Sequence, residues 1–137
     1  MTSMRGVVVK GFGEATSTLT AQLPHFAPLF PEVAHCYAGS INVQLEEGLR
    51  VFSPDFETQP IRWSEKTEVF GFLRIAFEGP IGSRHQPAWI YIPHLSPHYY
   101  NPFCIEVIAQ KLDGIAYGTI CRVHIAKQCK QTTVLVV

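Results

Sequence analysis

Short stretches in which apolar and polar residues alternate recur along the chain, and each predicts a half-buried strand. Residues 5–10 (Arg-Gly-Val-Val-Val-Lys) are β-branched and lie between glycines, which reads as a strand followed by a turn at 11–15. Residues 16–23 are rich in Thr and partly alternating, the pattern of a partner strand. Pro24, Pro28 and Pro31 keep any helix over 25–35 short or broken. Residues 39–45 place Ile41, Val43 and Leu45 between polar neighbours, again with a strand period. Residues 48–66, with Pro54 and Pro60, read as irregular.

The run 68–77 (Glu-Val-Phe-Gly-Phe-Leu-Arg-Ile-Ala-Phe) predicts a strand that Gly79-Pro80 and Gly82-Ser83 break. Pro87 precedes a second apolar run, 88–92, and 93–102 is a loop rich in proline and histidine. Residues 104–109 suit a strand or a helix edge. Gly114 and Gly118 frame a turn before a strand at 119–125, and 132–137 forms a last strand or an apolar tail. Six or more strand-like segments at short spacing, with little helix, favour a barrel or sandwich over alternating α/β layers. No repeat, linker or low-complexity stretch divides the chain. One domain is expected, with its core at about 5–126 and a strand or tail at 127–137.

Composition narrows the partners. The chain has 137 residues, 47% of them hydrophobic, enough for a core without disulfides. Its formal net charge is zero and no Lys/Arg run stands out, so a groove tracking long nucleic acid is not expected. Backbone amides can still bind one small anion. No apolar segment is long enough for a signal peptide or a membrane span. Cys36, Cys104, Cys121 and Cys129 contain no CxxC pair and read as free thiols. A cytoplasmic protein is expected, with no membrane partner.

Three constellations could carry chemistry. Gly11-Phe12-Gly13-Glu14-Ala15 places two glycines at a strand end, where bare backbone can approach a phosphate. A plain hairpin turn uses the same residues, and neither a dinucleotide fingerprint nor a Walker ending is complete. Ser40 and Asn42 are two apart on a predicted strand and so share a face. Both offer the oxygen donors that Mg²⁺ prefers; a solvent-facing polar pair is the plainer reading. Glu106 interrupts the apolar run 104–109, either as an exposed alternating residue or as a buried carboxylate that needs a ligand. His94 and His98 have a helical metal spacing, but Pro97 lies between them. His35-Cys36 forms a nucleophile pair only with a third, orienting group. Trp63, Trp89 and the phenylalanines read as core.

The ordered set of Gly6-Val7-Val8, Gly11-Phe12-Gly13-Glu14-Ala15, Gly39-Ser40-Ile41-Asn42-Val43-Gln44-Leu45, Phe70-Gly71-Phe72, Ala88-Trp89-Ile90-Tyr91-Ile92-Pro93 and Ile105-Glu106-Val107-Ile108-Ala109 resembles the CTP-dependent riboflavin kinase family. The resemblance runs from about Gly6 to Ile125. It implies a mainly β fold, a single six-stranded cradle-loop (RIFT-like) barrel with few short helices. It also implies transfer of the terminal phosphoryl group of CTP to riboflavin, giving FMN with Mg²⁺. By motif, Gly11, Phe12, Gly13, Glu14, Ala15 and Thr16 would wrap the nucleotide, with Lys111 and Leu112 nearby. Ser40 and Asn42 would hold Mg²⁺, and Ser96 and Glu106 would contact the flavin. No general base is implied.

The departures fall on the phosphate contacts. Ala15 replaces a loop glycine and Thr16 a basic residue, while Gln110 and Asp113 stand where the family has proline and arginine. Each weakens triphosphate binding more than it weakens a barrel. They favour a second expectation, a non-catalytic flavin- or nucleotide-binding or sensor domain that keeps the barrel. A third is an interaction module pairing through its C-terminal strand.

Overall fold

The computed structural model describes residues 2–10, 15–33, 36, 40–51, 54–63, 65–94, 101–110, 115–125 and 134–136, with backbone alone for 15–18 and 134–136. Six antiparallel strands close into a barrel: β1 (Thr2–Val9), β2 (Ile41–Leu45), β7 (Phe70–Glu78), β8 (Gln86–Pro93), β9 (Cys104–Ile108) and β10 (Ile120–Ile125). Their order is β10-β1-β2-β9-β8-β7, and a β10–β7 ladder closes the ring. Closure removes the exposed sheet edges of an open sheet. The mainly β, six-stranded barrel expected from the sequence is the architecture observed.

Alternation builds the interior. On β7, Leu73, Ile75 and Phe77 point inward, while Arg74 between them is exposed. Met4, Val8, Val43, Val107 and Val123 fill the barrel from the neighbouring strands, all at 3% exposure or less. Burying one such side chain contributes about 1.5–3 kcal/mol.

A second core lies outside the barrel wall. There Phe70, Phe72, Trp89, Tyr91 and Ile108 meet Leu19 and Phe26 of the helix α1 (Ala15–Phe26). Phe26 packs edge-on against both Phe70 and Phe72, with ring centroids 4.8 and 5.0 Å away. The first half of β7 is thus buried on both faces, which explains its unbroken apolar run. Trp63 and Trp89 are both buried in this core, as the sequence suggested.

Helix α1 corrects the strand expected over 16–23. Leu19, Gln22, Leu23 and Phe26 recur at helical spacing, and Leu19, Gln22 and Phe26 are almost fully buried. That stripe needs the second core to cover it, so tertiary packing overrides the β preference of the threonines. Pro24 lies in the last turn, beyond which Ala27 N–H still donates to the Leu23 carbonyl. A three-residue 3₁₀ turn (Pro31–Val33) follows.

The stretch 48–66 is also more ordered than expected. It holds β3 (Leu49–Val51), β4 (Phe56–Glu57) and β5 (Ile61–Trp63), and β6 (Lys66–Glu68) begins at its end. Strands of two or three residues are too short to show a period. Within their ribbon, β5 and β6 are joined by the buried Trp63 indole, which donates to Glu68 Oε1 at 3.1 Å. β11 (Val134–Val136) pairs with β3, so these residues add a strand to the fold. Residues 104–108 form a strand, resolving the helix-edge alternative. Among the described residues no helix is long and apolar enough to cross a membrane.

Candidate functional site

One row of residues crosses the wall on its outer face. Val9 pairs with Asn42, Asn42 with Glu106, and Glu106 with Tyr91. Because Val43, Ile105 and Val107 turn inward, Asn42 and Glu106 turn outward. The Ser40 hydroxyl, just before β2, donates to Glu106 Oε1 at 3.3 Å. Ser40, Asn42 and Glu106, three of the residues singled out in the sequence, therefore meet in one place.

Asn42 supplies an unusual atom. Its side-chain oxygen is buried and has no hydrogen-bond partner among the described residues. A buried acceptor left unpaired costs about 1–3 kcal/mol, so its retention asks for a donor or a cation. A serine hydroxyl, an amide oxygen and a carboxylate form a hard-oxygen set that fits Mg²⁺, which completes its shell with water and substrate oxygens.

Ser40 and Asn42 line a cleft of about 390 Å³ together with Val8, Val9, Ile41, Ile115, Ala116 and Tyr117, and Glu106 reaches it through its hydrogen bond with Ser40. The 115–119 turn is fastened to β1 by two hydrogen bonds, Gly118 N–H to the Val8 carbonyl at 2.7 Å and Val8 N–H to the Thr119 carbonyl at 2.9 Å. Gly118 has φ +89°, a left-handed conformation that glycine adopts at little cost. Tyr117, 70% exposed, stands at the cleft without burying its ring. Sequence reasoning marked the turn by its glycines but missed Tyr117, Ile115 and Ala116, because cleft-lining residues on a turn have no periodic signature.

The other expected contacts are less completely placed. Gly11, Phe12, Gly13, Glu14, Ser96, Lys111 and Leu112 lie outside the described residues. Ala15 and Thr16 open α1 rather than a strand. No acidic residue occupies the first turn of that helix, whose leading amides have no intrahelical acceptor.

Tyr91 links the row to the second core. Its hydroxyl donates to the buried Gln22 side-chain oxygen. Burial, reinforced by the carboxylates of Glu106 and Glu68, pushes its phenol well above the ordinary range. Tyr91 thus remains a donor. Cys36 borders a different cleft, of about 580 Å³, with Glu32, Arg84, His85 and Trp89. Burial pushes its thiol up to about 11, which removes the thiolate a Cys/His nucleophile needs. His35 and His98 lie outside the described residues. Cys36, Cys104 and Cys121 are free thiols.

The fold and this geometry define a closed six-stranded barrel carrying a cleft beside the end of β1 and the start of β2, with Ser40 and Asn42 in its lining. Set against protein-family models and curated proteins, the chain matches none of them.

Proposed function

We propose that this protein is a phosphotransferase of the riboflavin kinase type, moving the terminal phosphoryl group of CTP to riboflavin with Mg²⁺. The observation that carries this reading is the meeting of Ser40, Asn42 and Glu106 beside the end of β1, from which the Gly11–Gly13 segment departs two residues after Val9. Ser40 and Asn42 would hold the cation, and Glu106 would orient the acceptor by accepting from a flavin hydroxyl or N–H.

The acceptor hydroxyl oxygen forms the new P–O bond, the bond to the bridging oxygen of CTP breaks, CDP leaves, and the hydroxyl proton passes to solvent. Such transfer depends chiefly on positioning and charge neutralisation. Among the described residues that line the cleft none is Lys or Arg. Neutralisation would therefore fall to Mg²⁺ and to backbone amides. Lys10, at the base of the glycine segment, is exposed and is the nearest cation in sequence to that segment. The free thiols support a cytoplasmic setting.

The same lack of lining cations, with the exposed Tyr117 ring, supports a second reading: a domain that binds flavin or nucleotide without turnover. Incubation with riboflavin, Mg²⁺ and each nucleoside triphosphate, followed by chromatography for FMN, separates the two. FMN formed with CTP and lost in Asn42→Ala is the expected result. Quenched flavin fluorescence without FMN would replace the enzyme by the binder, and no response to either ligand would end both.

A further inference from the structure

A second group of side chains lies across the seam that closes the barrel. Glu78 ends β7, His124 lies on β10, and His85 immediately precedes β8. His124 Nε2 is 2.8 Å from Glu78 Oε1, and His85 Nε2 is 3.1 Å from the same oxygen. The two imidazoles stack with centroids 4.4 Å apart and planes 20° apart, so both Nε2 atoms address one carboxylate. The three donor atoms lie within 4.8 Å of one another.

We propose that Glu78, His85 and His124 form a binding site for a divalent transition-metal ion of the zinc class. Around a tetrahedral ion with bonds of about 2.0–2.1 Å, neighbouring donors stand ~3.3 Å apart. The two histidine–carboxylate separations, 2.8 and 3.1 Å, therefore need a few tenths of an ångström of opening, while the two imidazole nitrogens, within 4.8 Å of each other, would have to draw together around the ion. Two imidazoles and one carboxylate suit zinc-class ions, whereas Mg²⁺ prefers oxygen alone.

The surroundings complete the site. Ser3 Oγ lies 2.8 Å from His124 Nδ1, the outer hydrogen bond that fixes the tautomer of a metal-bound histidine. Gly82 N–H donates to Glu78 Oε2 at 2.7 Å, which orients the carboxylate and leaves Oε1 toward the histidines. Glu78 is buried, so its carboxylate is held in place by these contacts rather than by solvent. His85 is half-exposed and borders the cleft of about 580 Å³, so water can complete the coordination sphere from that side.

The site is separate from the Ser40–Asn42 cleft. Ser3, against His124, and Val9, against Asn42, are six positions apart on β1, roughly 20 Å at the rise of a strand. The metal would join β7, β10 and the turn before β8, pinning the closing seam.

Chelator-treated protein should be titrated with Zn²⁺ and Co²⁺ by calorimetry, with thermal unfolding followed alongside and Mg²⁺ as the comparison ion. One equivalent of Zn²⁺ is expected to bind and raise Tm, Co²⁺ to give visible d–d absorption, and Mg²⁺ to do neither. His85→Ala removes a half-exposed ligand and leaves the barrel interior intact; it is expected to weaken Zn²⁺ binding at least tenfold, as is Glu78→Gln. Absence of uptake by the wild-type chain overturns the proposal. So does full-strength uptake by a folded His85→Ala protein, which would put the ion on other ligands. Neither result bears on FMN formation.

Discussion

Val9 and Asn42 face each other across the β1–β2 ladder, and this pairing sets the end of β1 beside Asn42. Asn42 is held from its other side by Glu106 on β9. A residue paired in register with a strand on each side has little freedom to move, which suits the cation-holding role proposed for it.

Asn42→Ala should separate function from stability. Its side-chain oxygen is buried without a partner among the described residues, so removing it is expected to leave the fold as stable as wild type or more stable, by up to about 1–3 kcal/mol. Mg²⁺-dependent CTP binding should fall at least tenfold by calorimetry. A variant that loses stability but binds CTP normally would reduce Asn42 to a structural residue.

Tyr117→Ala should weaken ligand binding without touching the core, since the ring is 70% exposed. Stacking on a base or flavin is worth about 1–3 kcal/mol. The dissociation constant, read by flavin fluorescence, should rise roughly 5- to 150-fold. An unchanged constant would remove Tyr117 from the site.

Tyr91→Phe should destabilise by about 1–3 kcal/mol, because it strands the buried Gln22 oxygen that the hydroxyl serves. Adding Gln22→Leu removes the stranded group and should recover part of the loss in urea unfolding. If the double variant is no more stable than the single one, the hydrogen bond is not the source of the effect.

Alkaline pH should loosen the fold through its buried thiols. Burial raises Cys36 and Cys121 from 9.0 to about 11. A folded-state pKa above the unfolded one gives a contribution that is complete below pH 9 and is lost as pH rises toward about 11. Over that window the Cys36→Ala/Cys121→Ala variant should lose stability less steeply than wild type in urea unfolding. Equal slopes would contradict the burial of both thiols.

The barrel was legible because four of its strands, at 5–10, 39–45, 68–77 and 119–125, carry β-branched or alternating residues between clear breaks. The helix was not. Its apolar stripe is Leu19, Leu23 and Phe26, with a buried Gln22 that reads as polar in sequence and whose oxygen accepts from Tyr91, 69 positions away. Ser40, Asn42 and Glu106 could be singled out because each interrupts an apolar pattern. Their meeting depends on the β2–β9 register, which no local signal encodes. Glu78, His85 and His124 escaped notice for the same reason: the β7–β10 ladder brings Glu78 and His124 together and the β7–β8 turn adds His85, and ladders between distant strands leave no trace in spacing.

Alternate residues of each wall strand answer to different demands. Val43, Ile105 and Val107 are committed to a filled interior, whereas Asn42 and Glu106, one step away on the same backbone, are not. Asn42 and Gln44 of β2 and Glu106 of β9 are thus free to be rewritten without reopening the barrel. Descendants of this chain could trade one ligand for another while the cylinder that carries them stays as it was.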